Sequence, residues 1–98
     1  MLTVSGVELD AATRRVMVDG VPVSLTLKEF ELLKILMASA GRVLTRDFLL
    51  ETIWGYEYDG GTRTVDVHIM QLRKRLGARE GAIETVRGVG YRLTGEGA

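Results

Sequence analysis

The chain has no cysteine, one proline (Pro22) and one histidine (His68) among its 98 residues. The first absence excludes a disulfide framework and a thiolate metal site, and one imidazole with scattered carboxylates does not make a metal centre of another kind. No cofactor is expected. Proline-rich linkers, low-complexity stretches and internal repeats are also missing, so residues 1–98 are expected to form a single domain. A chain of that length buries roughly two-thirds of its unfolded surface, enough to fold without staples. No run is apolar for long enough to span a bilayer. The N-terminus lacks the basic segment and apolar core of a secretory signal, so a cytoplasmic protein with no membrane partner is expected.

An excess of either charge is absent too, with 13 Lys and Arg against 13 Asp and Glu. Neutrality by itself speaks against strong binding to nucleic acid. The distribution speaks for it. From Arg63 onward seven cations face four carboxylates, a net +3, while residues 1–62 carry −3. Such polarity points to one basic working end on a neutral body.

Four short β-prone runs, at 2–5, 7–10, 15–18 and 21–24, fill the first quarter of the chain. Asp19-Gly20 between the last two is a tight-turn pair whose central residues both need positive φ. Gly6 and the segment 10–13 break the others, and a small antiparallel sheet is expected. Thr26 stands three residues before Glu29, the spacing of a capping box in which each side chain satisfies an orphan amide of the first helical turn. Phe30, Leu33, Leu36 and Met37 supply a buried stripe, and Gly41 is expected to end this helix in the left-handed conformation. Thr45 caps a second, shorter helix through Phe48, Leu49 and Ile53, stopped near Gly55. A connecting loop leads to a third helix closed by Gly77, and the chain finishes as strands at 83–86 and 91–94 joined through Arg87-Gly88-Val89-Gly90.

The third helix, RTVDVHIMQLRKRL at 63–76, carries the strongest pattern. At about 100° per residue Val65, Ile69, Leu72 and Leu76 share a narrow sector, the stripe of a helix packed on a core. Opposite lie Arg63, Val67, Met70 and Lys74, with Thr64 and Gln71 on one shoulder and Asp66 and Arg73 on the other. Cations, an amide, a hydroxyl and small apolar groups are what phosphates, base edges and thymine methyls can use. A merely solvated face would more often pair Glu with Lys at i,i+4. The final hairpin bears Arg87 at its bend beside glycines that let backbone approach closely, and a narrow minor groove attracts such a guanidinium. Three helices followed by a hairpin is the order of a winged helix, in which the last helix enters the major groove.

Catalysis finds little support. His68 and Asp66 project about 200° apart on one helix and cannot act as a pair. None of Ser5, Ser24 and Ser39 sits in a nucleophile elbow, and no glycine-rich phosphate loop follows a strand. An enzyme is not expected. A winged helix that binds only protein, with weak non-specific DNA binding, is the other alternative. It would present an apolar or acidic outer face, and the cations at 63–76 argue against it.

The segments LTLKEFELLKIL (25–36), GRVLTRDFLLETIWG (41–55), RTVDVHIMQLRKRLG (63–77) and ETVRGVGYRL (84–93) resemble, in order and spacing, the C-terminal effector domain of bacterial two-component response regulators of the OmpR/PhoB type. The resemblance spans nearly the whole chain. It implies an α+β winged helix-turn-helix: an N-terminal four-stranded antiparallel sheet, three helices and a C-terminal β-hairpin wing. Sequence-specific double-stranded DNA binding would follow, with the recognition helix at about 62–76 in the major groove and the wing at about 83–93 in the minor groove.

Residue by residue, the resemblance implies that Arg63, Thr64 and His68 contact phosphates or approach the groove, that Trp54 contacts the backbone, and that Val67 lies close to base methyls. Thr85 and Arg87 match wing positions, and Tyr91 is expected to add a phosphate contact. Met70 and Gln71 depart from several relatives, which have arginines there. With Lys74 they complete the expected reading face. Residue-level alternatives stand beside these roles: Trp54 as core, His68 as a packed imidazole, Arg73 and Arg75 in intramolecular ion pairs, Arg92 paired across the hairpin. The loop around Tyr56, Glu57, Tyr58 and Asp59 resembles the segment through which family members contact RNA polymerase, a solvated connector being the alternative. The family further implies homodimers on direct-repeat half-sites, driven by a receiver domain that this chain does not contain.

Overall fold

The computed structural model describes residues 1–55 and 58–94. Four strands, β1 (Leu2–Val4), β2 (Val7–Asp10), β3 (Arg15–Val18) and β4 (Val21–Val23), form an antiparallel sheet in sequential order. The Asp19-Gly20 turn has φ of 50° and 82°, as its residue types require. Ser5-Gly6 repeats that solution between β1 and β2, with φ of 49° and 78°. Val7, Leu9 and Val16 point to one buried face, and Thr3, Arg15 and Val21 are exposed.

Three helices follow: α1 (Leu27–Ala38), α2 (Arg46–Trp54) and α3 (Arg63–Leu76). The capping box forms as read, with Thr26 N–H donating to Glu29 Oε1 at 2.9 Å and Glu29 N–H to Thr26 Oγ1 at 3.2 Å. Thr45 caps α2 by accepting from Phe48 N–H. Gly55 and Gly77 follow α2 and α3 with positive φ. The end of α1 differs from expectation. The helix stops at Ala38 with Ser39 as its cap, and Gly41, at φ 86°, lies two residues further on, where its N–H donates to Leu93 C=O at 2.8 Å. Gly41 therefore joins the turn to the C-terminal strand.

After α3 a 3₁₀ segment (Gly77–Ala82) leads into the hairpin β6 (Ile83–Val86) and β7 (Gly90–Leu93). Sequence patterning missed a third strand, the two-residue β5 (Leu44–Thr45), which pairs with β7 through Leu44↔Tyr91 and Thr45↔Gly90. Two residues are too few to show alternation, and the pairing needs glycine: a Cβ at Gly90 would run into the Leu44 carbonyl. The wing is thus a three-stranded sheet, β5-β7-β6. Its core side merges with that of the rest of the molecule, where Leu32, Leu33, Leu36, Leu49, Ile69, Leu72, Leu76, Ile83 and Leu93 are essentially inaccessible. Among the described residues no helix is long and apolar enough to cross a membrane.

Candidate nucleic-acid interface

All four stripe residues of α3, Val65, Ile69, Leu72 and Leu76, are buried, with α3 packed on α1 and α2, which fixes the opposite strip toward solvent. That strip is Arg63, Val67, Met70, Gln71 and Lys74, all exposed, with Val67 at 37% and Met70 at 53%. Apolar side chains so open, on a helix whose other apolar residues are inaccessible, are not part of the core.

The Asp66 shoulder of α3 is bound to the wing. Asp66 accepts from Arg46 at the start of α2 through both carboxylate oxygens, and Tyr91 Oη on β7 donates to Asp66 Oδ1 at 2.7 Å. Burial pushes the Asp66 carboxyl up, but the hydrogen bonds from Arg46 and Tyr91 and the charges of Arg46 and Arg63 outweigh it and hold it below its ordinary value. Burial, then the bond to Asp66, pushes the Tyr91 phenol up to about 12. Two turns further along, Arg73 donates to Ile83 C=O at 2.7 and 3.1 Å and to Thr85 Oγ1 at 2.8 Å. The other shoulder carries His68, whose Nδ1–H donates to Thr64 C=O at 2.8 Å and whose ring meets Trp54 edge-on at 4.9 Å. Trp54 is half-buried, with Lys28 Nζ 5.5 Å from its ring centre, and among the described residues its indole N–H has no hydrogen-bond partner.

Two expectations change on this geometry. Tyr91 is 7% exposed and its hydroxyl proton is given to Asp66, so it serves the wing–helix junction and is not placed to donate to a phosphate. His68 is a packed imidazole committed to its own helix through Nδ1, which leaves only Nε2 for an outside partner. Thr64 is half-buried beside it. Thr85 is exposed and accepts from Arg73, so its own proton remains to be donated. Tyr58 and Asp59 are exposed; Tyr56 and Glu57 lie outside the described residues.

The seven cations from Arg63 onward divide cleanly. Arg73 is held by the wing, Arg75 pairs with the buried Glu29 at 3.5 Å, Arg79 bonds Asp19 at 2.7 Å, and Arg92 bonds Glu84 across the hairpin. Arg63, Lys74 and Arg87 make no hydrogen bond or ion pair among the described residues. Two of the three bracket the exposed strip of α3 and the third stands at the wing turn, which Val89 N–H closes onto Val86 C=O at 2.9 Å. Internal pairs for Arg73, Arg75 and Arg92 stood among the sequence alternatives, but the partners of Arg75 and Arg79 could not be named, because they lie 46 and 60 residues away in the chain.

The family described as "Transcriptional regulatory protein, C terminal" matches residues 20–93. The chain belongs to this family. Its relatives include the transcriptional regulatory protein VxrB of Vibrio cholerae, 49% identical over 89 residues, covering 91% of this chain and 36% of that protein. TrcR of Mycobacterium tuberculosis is 46% identical over 93 residues, covering 94% of this chain and 36% of that protein. The chain therefore spans little more than a third of either relative's length. Among solved structures, the DNA-binding domain of Klebsiella pneumoniae RstA, in complex with the RstA box, superposes with a TM-score of 0.83 at 36% identity over 95% of each chain. Thermotoga maritima DrrB, an OmpR/PhoB homologue, superposes with a TM-score of 0.83 at 38% identity over 93% of this chain and 42% of its own. The winged-helix fold of the OmpR/PhoB effector domains is thus the fold of this chain.

Proposed function

We propose that this domain binds double-stranded DNA sequence-specifically and is the output domain of a two-component transcription regulator. The observation that carries the reading is the division of the cations: the three that make no hydrogen bond or ion pair among the described residues, Arg63, Lys74 and Arg87, lie on the outer strip of α3 and at the wing turn. In this reading α3 enters the major groove, Val67, Met70 and Gln71 face base edges, and Arg63 and Lys74 hold phosphates at the two ends. Thr85 donates to the backbone, Arg87 enters the adjacent minor groove, and the indole N–H of Trp54 faces a phosphate beyond the other shoulder. No catalytic step is assigned to any residue.

One such module buries a modest interface, so useful affinity calls for two copies on neighbouring half-sites. Direct-repeat binding, dimerisation through a further domain, action in the cytoplasm and a polymerase contact through exposed Tyr58 and Asp59 belong to the same proposal. Selection of sites from random duplex DNA, followed by titration of the enriched site against a scrambled one, tests it. Enrichment of one sequence, bound at least about a thousandfold more tightly than scrambled DNA, is expected. Equal binding to both would favour the protein-only alternative.

A further inference from the structure

The exposed strip of α3 has an order that restricts what it can read. Arg63 stands at one end and Lys74 at the other, and the turns between them present Val67, Met70 and Gln71. No cation stands between Val67 and Gln71: Arg63 and Lys74 lie a turn beyond either end, Arg73 is bound to Ile83 C=O and Thr85, and Arg75 to Glu29. Nor does a carboxylate, since Asp66 is turned to the wing shoulder and occupied by Arg46 and Tyr91.

These exclusions matter because each base pair shows its own groups in the major groove. Guanine offers two acceptors that suit Arg or Lys, and cytosine a donor that suits Asp or Glu. The centre of α3 has neither partner. Adenine offers an acceptor and a donor that a Gln amide matches with two bonds, and thymine offers a methyl group that apolar side chains cover. Val67 and Gln71 are about 6 Å apart along the helix, close to two base-pair steps, and Met70 lies between them at the edge of the strip. With 53% of its surface exposed, Met70 has the reach to cover a methyl.

Resting on the DNA-binding reading above, we infer that the centre of α3 reads a short run of A·T pairs, with Val67 and Met70 on thymine methyls and Gln71 on adenine. The wing favours the same composition, because A-tracts narrow the minor groove and strengthen the potential that draws in Arg87. The two surfaces therefore select related DNA by different physics.

The test uses the site enriched from random duplexes and remakes it with deoxyuridine in place of each central thymine, which removes a methyl and leaves base pairing intact. Affinity is measured by fluorescence anisotropy, with the same replacement outside the site as control. Removing each methyl that is read is expected to weaken binding about fourfold. Met70→Ala should bind thymine and uracil duplexes alike at one position. Met70→Arg should move the selected pair there from A·T to G·C. A G·C-centred enriched site, or equal affinity for the thymine and uracil duplexes, overturns the inference while DNA binding stands. Failure to enrich any sequence overturns both.

Discussion

The hydroxyl of Tyr91 on β7 donates to the carboxylate of Asp66 on α3 at 2.7 Å, and this bond ties the wing to the first turns of the helix beside it. Arg46 at the head of α2 binds the same carboxylate. One half-buried anion thus fixes the mutual placement of three elements, and a reading helix is useful only when its distance from the wing is fixed.

Alkaline titration reports on this junction. The Tyr91 phenol ionises at about 12 in the folded domain against about 10 in an unfolded chain. Below pH 10 both states are protonated and nothing is lost. Between about pH 10 and 12 the unfolded state sheds the proton first, so stability falls by about 2 to 3 kcal/mol. Urea unfolding across that range should show the loss, and Tyr91→Phe should remove it. An unchanged pH dependence in the variant would place the titrating group elsewhere.

Asp66 acts in the opposite direction. Its carboxyl is held below the ordinary value because the bonds from Arg46 and Tyr91 outweigh burial. Its contribution to stability is therefore complete above the unfolded value near pH 4 and disappears as pH falls through the folded one. Asp66→Asn should cost stability at pH 6 and much less at pH 2, measured by urea midpoints. A gap of equal size at both would show that packing, and not the charge, is what the substitution disturbs.

Gly90→Ala and Gly88→Ala should part company. A Cβ at Gly90 meets the Leu44 carbonyl, which cannot yield without opening the β5–β7 pairing, and at least about 3 kcal/mol should be lost. At Gly88 the space is open and only its φ of 75° is at issue, so about 1 kcal/mol is expected. Thermal unfolding of the two variants makes the comparison.

Salt dependence separates holding from reading. Lys74→Ala and Arg87→Ala should weaken binding to every duplex and lower the log–log salt slope by about 0.9 for each phosphate no longer neutralised. Gln71→Ala should leave that slope alone and relax the choice of base at one position, at about 1 to 3 kcal/mol. A changed slope in the Gln71 variant would contradict its role.

Much of this was legible in the chain because local chemistry decided it. The Asp19-Gly20 turn, the Thr26–Glu29 capping box and the stripe Val65–Ile69–Leu72–Leu76 each depend on residues within a dozen positions of one another, and each formed as read. The exposed strip of α3 followed from the same period. What escaped depended on distant partners. β5 exists only because Gly90 admits it, Gly41 serves β7 more than α1, and the Tyr91 hydroxyl is directed by a carboxylate 25 residues earlier. That Arg75 pairs with Glu29 in particular, while Lys74 makes no hydrogen bond or ion pair among the described residues, is likewise invisible until α1 and α3 are packed together.

The most direct measurement of the central claim is a titration of the ¹⁵N-labelled domain with its enriched duplex, followed residue by residue in amide spectra. The largest shifts are expected at Arg63, Val67, Met70, Gln71 and Lys74 and in the wing from Thr85 to Val89, with the N-terminal sheet little changed. Shifts confined to that sheet or to the outer face of α1, with α3 silent, would contradict the assignment of α3 and the wing as the DNA-binding surface.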